Sequence, residues 1–397
     1  MNKKTAIALA VGALSATPAL AQVEIYGRLY PQFTSAKTSG ATVGAPPATL
    51  VGPGVGENHE RRNSIDVSNS RIGFRGREQL GGGLSTIWQI ETRVRFDSGT
   101  NSPWAGGRNS FLGLTGNFGT VKLGNMDTIY KEYGGIVGNF FGISSGNIVS
   151  SSNVLSVHGL AEEGGAGFDD TGFHIRAPSS IQYESPEFGA FQFGIQYMPD
   201  EAKGNPGRDF DSNLWSMGVK YEAGPLYVSL QHERHNDWLD LTANADGVAL
   251  ASTGSRDQAT RLSVGYRLSQ NHRITGDLAR MEWKDSGPGG DASLEKTSWA
   301  IGWEARWGGP WRTEITYVAN NDGSCDLPGG AACSTDGLAG NMLNLGVAYS
   351  LSKRTFIFGL LNKVTSKESA IYNSTANIDP SRGADITQLA LGMSHSF

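Results

Sequence analysis

Six arginines, Arg28, Arg71, Arg75, Arg93, Arg95 and Arg108, fall in segments whose apolar residues recur at every second position. If Ile25, Leu29, Ile72, Phe74, Ile90, Val94 and Phe111 occupy one face of β-strands, alternation puts these arginines on the other face, with Glu91 among them. A guanidinium keeps its charge at physiological pH and lies flat along a wall. Arginines on adjacent strands would give any water-filled space they line a positive field, and rings of Arg or Lys are the usual device of anion-preferring pores. This chemistry is electrostatic guidance and involves no bond making. The structural alternative is a lattice in which the same arginines pair with Glu91, Glu78 and Asp97. Pairing would not remove them from a lining.

A field across such a space needs acids opposite. Glu162, Glu163, Asp169 and Asp170 lie in the long polar segment 127–178, with Asp127 at its start. Apposed charges of opposite sign orient dipolar solutes. Acids in long loops are also simply solvated, which is the expectation for at least two of these four.

Other combinations of reactive residues lack the setting that their chemistry needs. Gly142-Ile-Ser144-Ser-Gly146 matches a nucleophile pattern, with Asp169, Asp170 and His174 downstream, but it has no strand before it and no helix after it. His232 and His235 are three apart near a strand end and point to opposite faces, so no metal site is expected. Cys325 and Cys333 are the only cysteines. An even count in an exported chain favours a disulfide, and metal binding would have only Asp326 and Asp336 to complete its ligands.

The elements that position these groups are strands. In the last ten residues Leu389, Leu391, Met393, His395 and Phe397 share one face, while Ala390, Gly392, Ser394 and Ser396 share the other. A greasy face with a small, polar reverse is the two-residue pattern of a transmembrane β-barrel, and Phe397 would serve as its terminal assembly signal. Similar segments recur sixteen times, from 23–33 to 384–397. Gly-marked turns such as Leu80–Gly83, Gly116–Gly119, Glu187–Ala190, Glu222–Pro225 and Trp307–Pro310 alternate with long polar connections. Segments 272–284 and 353–365 alternate poorly and take no assigned facing. The expected fold is all-β: a sixteen-stranded antiparallel transmembrane barrel with short periplasmic turns and long extracellular loops. A secreted sandwich could explain any single strand but not the whole series.

Targeting agrees. Lys3 and Lys4, the apolar run 5–14 and the Ala19-Leu20-Ala21 site read as a secretory signal peptide over residues 1–21, with cleavage between Ala21 and Gln22. The barrel then occupies 22–397. Losing two lysines moves the net charge from −5 to −7, which excludes a broadly basic nucleic-acid binder. A mean hydropathy of −0.30 is compatible with a transmembrane β-barrel, because only alternate strand residues meet lipid.

Several stretches resemble the Gram-negative general porins, especially the beta-proteobacterial and neisserial type. They include Ile25-Tyr-Gly27, Ser70-Arg-Ile-Gly-Phe-Arg-Gly76, Glu78-Gln-Leu-Gly-Gly-Gly-Leu84, Ser110-Phe-Leu-Gly-Leu114, Phe118-Gly-Thr-Val-Lys-Leu-Gly124, Tyr183-Glu-Ser-Pro-Glu-Phe-Gly189, Leu351-Ser-Lys-Arg-Thr355 and His395-Ser-Phe397. The resemblance implies an outer-membrane homotrimer among lipid and lipopolysaccharide, with a third loop folded into the pore. It implies passive diffusion of ions and small hydrophilic solutes, with no cofactor. Arg28, Arg71 and Arg108 match its basic cluster, and Arg176 resembles another recurrent basic position. Gln182 and Glu184 depart from it, standing where relatives often place a basic residue. A substrate-specific channel and a non-conducting barrel used as an adhesin or envelope anchor remain the alternatives.

Overall fold

The computed structural model describes residues 22–67, 69–97, 104–137, 148–160, 172–205, 211–238, 254–287, 290–375 and 377–397. The expected leader through Ala21, the Gly142–Gly146 motif and the acids Glu162, Glu163, Asp169 and Asp170 lie outside these residues.

Sixteen strands form one closed antiparallel sheet. They are β1 (Gln22–Leu29, resuming as Gln32–Ser39), β2 (Arg62–Asp66, resuming as Arg71–Gly81), β3 (Leu84–Val94), β4 (Ser110–Gly116), β5 (Gly119–Asp127), β6 (Arg176–Glu184), β7 (Phe191–Met198) and β8 (Asn213–Ala223). There follow β9 (Leu226–Asn236), β10 (Arg256–Arg267), β11 (His272–Gly287), β12 (Gly290–Arg306), β13 (Trp311–Asn320), β14 (Gly340–Ser350), β15 (Thr355–Ser366) and β16 (Asp385–Ser396). Each strand pairs with its neighbours in the chain, and β16 pairs back onto β1 through Arg28↔Ser396 and Gln32↔Gly392. Closure removes the sheet edges that a bilayer could not satisfy.

All sixteen expected segments are strands, with shifted ends: β1 runs on to Ser39, and β12 begins at Gly290. The outer face is apolar, as Ile25, Phe74, Ile90, Leu112, Leu230, Leu278, Ile301, Leu345 and Leu391 are exposed there. Phe111 corrects the expected facing. It pairs with Gln89 and lies near Lys122 on the inner face, while Leu112 and Leu114 point outward. Alternation could not decide this, because Phe111 and Leu112 are adjacent and both apolar.

The third long connection turns inward. Thr128 caps a short helix α1 (Ile129–Gly134) by accepting a hydrogen bond from Lys131 N, and a second helix α2 (Ser152–Leu155) follows. Tyr130 N donates to Ser216 Oγ on β8, and Tyr133 O accepts from Ser229 Oγ on β9 at 2.9 Å. Val154 and Leu155 pack with Ala279, Val318, Val364 and Ile386, and Ile148 and Val149 with Tyr30, Phe358 and Leu360. The described part of this connection therefore packs on the inner face from β8 round to β16.

This packing explains the two segments without clean alternation. Ala279, Met281 and Trp283 on β11, and Phe358, Leu360 and Val364 on β15, face inward and are buried under loop residues instead of water. An inner face that meets protein has no reason to be polar.

Candidate functional site

The register sets three arginines in one line: Arg28 opposes Arg71, and Arg71 opposes Arg93, across β1, β2 and β3. Like charges directly opposite one another destabilise a sheet. The adjacent row supplies the compensation, with Tyr26 opposite Gly73 and Gly73 opposite Glu91. A Cβ on Gly73 would fall 2.4 Å from the Tyr26 ring. The missing side chain lets that ring cross the strand, so that Tyr26 OH donates to Glu91 Oε2 at 3.0 Å.

Glu91, only 8% exposed, is the hub of the wall. Arg71 Nε lies 3.6 Å from Oε2, Arg108 Nε donates to Oε1, and Arg108 N donates to the Glu91 carbonyl at 3.0 Å. A buried carboxylate needs such partners. The arginines keep an open side, with 27% of the Arg71 side chain and 20% of the Arg108 side chain exposed. Arg28 donates to Ser394 Oγ at 2.7 Å and lies 4.2 Å over the Tyr30 ring.

A second node adjoins the first. Arg176 Nη2 and Lys131 Nζ each reach Asp127 Oδ1 at 2.9 Å, and Asn109 joins them by donating to Asp127 Oδ2 and accepting from Arg176 Nε. Burial pulls the Lys131 ammonium below the ordinary lysine range, and the Asp127 carboxylate opposes that shift. Arg93 feels the charges of Arg108, Arg95, Arg176 and Asp66. Arg28, Arg71, Arg93, Arg108, Lys131 and Arg176 thus share this wall with the carboxylates Glu91, Asp66 and Asp127.

Not every sequence candidate joins them. Arg75 holds Glu24 through two hydrogen bonds, 2.9 and 2.7 Å, towards the short-turn rim. Arg95 is exposed, one residue beyond β3. Glu184 faces inward against Lys122 Nζ at 2.7 Å, so its charge is locally matched. Asp127 lies within the basic wall and not opposite it. Cys325 and Cys333 form a disulfide in the seventh long loop, with Cα atoms 5.8 Å apart.

Sequence reasoning missed Tyr26, Asn109, Lys122 and Lys131. The helix carrying Lys131 had a readable signal, with Thr128 as cap and Ile129 and Tyr133 four apart on one face. The other three became visible only through cross-strand register.

A profile described as Gram-negative porin matches residues 6–369. The major outer membrane protein P.IB of Neisseria lactamica is 33% identical over 246 residues, covering 60% of this chain and 62% of that protein. Outer membrane porin protein 32 of Delftia acidovorans is 28% identical over 349 residues, covering 86% and 88%. The solved structure of an anion-selective porin from Comamonas acidovorans superposes with a TM-score of 0.70 at 23% identity, covering 95% of this chain and all of that one. This last likeness speaks for the fold.

Proposed function

Because the chain belongs to the Gram-negative porin family, we propose that it forms a water-filled outer-membrane channel for passive diffusion of ions and small hydrophilic solutes, with a preference for anions. The observation that carries the preference is the Arg28–Arg71–Arg93 row, with Arg108 and Arg176 beside it, on the part of the inner wall that keeps exposed charge. An anion passing these guanidinium groups is stabilised and a cation repelled. We further propose that the working unit is a homotrimer embedded among lipid and lipopolysaccharide.

Single-channel recording in planar bilayers under a salt gradient tests conduction and preference together. An open, ohmic conductance with a reversal potential on the anion side supports both. A cation-side reversal potential rejects the preference, and absence of conductance leaves the anchor reading. Conductance blocked saturably by one solute would favour a substrate-specific channel.

A further inference from the structure

Lys296 lies on the inner face of β12 near the long-loop rim and is 1% exposed. Its ammonium donates to His158 O at 3.0 Å, to Leu338 O at 2.7 Å and to Tyr372 OH at 2.7 Å. These acceptors belong to three different loops: the third, the seventh (321–339) and the eighth (367–384). A lysine has three N–H donors, and these bonds use all of them. Burying a cation is costly unless it is fully hydrogen-bonded, so the three loops are held to one point.

Tyr372 completes the knot. Its hydroxyl accepts from Asn320 Nδ2 at 2.8 Å, and its ring fills a slot where a Cβ on Gly159 or Gly340 would come within 2.7 or 2.3 Å of it. Arg382 of the eighth loop adds bonds to Ser369 O and Leu160 O, and Ala48 N of the first loop donates to Ser369 Oγ. Around this point the inner faces of β11 to β16 are buried against loop residues, whereas Arg71 and Arg108 across the lumen keep exposed surface.

We propose that Lys296 and Tyr372 are positioning residues for selectivity: they latch the third, seventh and eighth loops against one side of the barrel, so that ions cross only along the arginine wall. This rests on the diffusion-channel reading. When Lys296 is lost, His158 O must be satisfied by water while Leu338 O keeps only the Tyr372 hydroxyl, and a second path opens away from the arginines.

The test compares wild type, Lys296→Met and Tyr372→Phe in planar bilayers, with assembly checked on unboiled gels. Assembled variants are expected to show a larger unitary conductance and a reversal potential moved towards zero in a potassium chloride gradient. A purely structural role would lower the yield and leave both readings of the surviving channels unchanged, and that result overturns the proposal. If Lys296→Met does not assemble, Tyr372→Phe carries the same test, since it removes one oxygen and little volume. A wild type without anion preference rejects the selectivity reading, while the conductance comparison still decides the latch.

Discussion

The ring of Phe397 lies over Gly27, where a Cβ would stand 2.3 Å from Phe397 Cζ. The two backbones exchange hydrogen bonds, Gly27 N to Phe397 O at 3.2 Å and Phe397 N to Gly27 O at 3.1 Å. The last residue of the chain is thereby fitted to the first strand at the seam where the barrel closes. The small outward residue at 27 is accounted for by this contact.

Closure at this seam should be sensitive from both sides. Deleting Phe397, or introducing Gly27→Leu, should lower heat-modifiable assembled protein in the outer membrane more than it lowers synthesis. The leucine must displace an aromatic ring, an overpacking cost of about 1–3 kcal/mol. Normal assembly of both variants would show that this contact does not guide closure.

Selectivity should follow local charge and not the chain's net −5. In 0.15 M salt the Debye length is about 8 Å, so scattered surface acids are mostly screened from an ion in the pore. A guanidinium about 4 Å from an ion interacts by roughly 4 kcal/mol at an effective dielectric of 20. Even about 1.4 kcal/mol of that gives a tenfold bias.

Removing Arg71 and Arg108 alone would strand the buried Glu91 carboxylate, which has a cost of its own. Changing both to Ser together with Glu91→Gln avoids this and should move the reversal potential towards cations. Glu91→Gln alone should move it further towards anions. Equal reversal potentials in all three proteins would place selectivity elsewhere.

The same reasoning sets a salt dependence. Preference should weaken as ionic strength rises from 0.1 M towards 1 M, where the Debye length falls to about 3 Å. A reversal-potential series at a fixed concentration ratio measures it, and an invariant ratio would argue for size exclusion in place of charge.

Reducing the Cys325–Cys333 disulfide should leave the barrel intact. The bridge closes a short loop, worth about 2–3 kcal/mol by chain entropy, and the residues beside it pair with the long-loop end of β12 through Leu294↔Cys325 and with Thr49 of the first loop through Ser334. Thermal unfolding with and without reductant should therefore nearly coincide. A large drop in Tm would mean that the seventh loop supports the barrel.

Trimerisation should appear as a detergent-stable band on unboiled gels that collapses to the monomer on heating. A strictly monomeric species in mild detergent would remove the trimer from the functional reading.

Strand number, antiparallel order and most facings were legible in the sequence, because a strand with lipid on one side and water on the other must alternate at period two. Ile25, Phe74, Ile90 and Leu391 announced their faces in that way. The pattern failed at β11 and β15, where the inner face packs on loop residues, and at Phe111, where two apolar neighbours left the parity open. Sequence also marked Arg28, Arg71, Arg93 and Arg108 as inward, the last through Phe111, whose facing the structure reverses; Arg108 reaches Glu91 from just before β4, outside the strand ladder. Only tertiary structure set them in register around Glu91, brought Asp127 under Arg176 and drew three loops onto Lys296. Alternation is a local consequence of solvent on each side of a strand. Register and loop docking join residues far apart in the chain, and their partners are chosen by closure of the whole barrel.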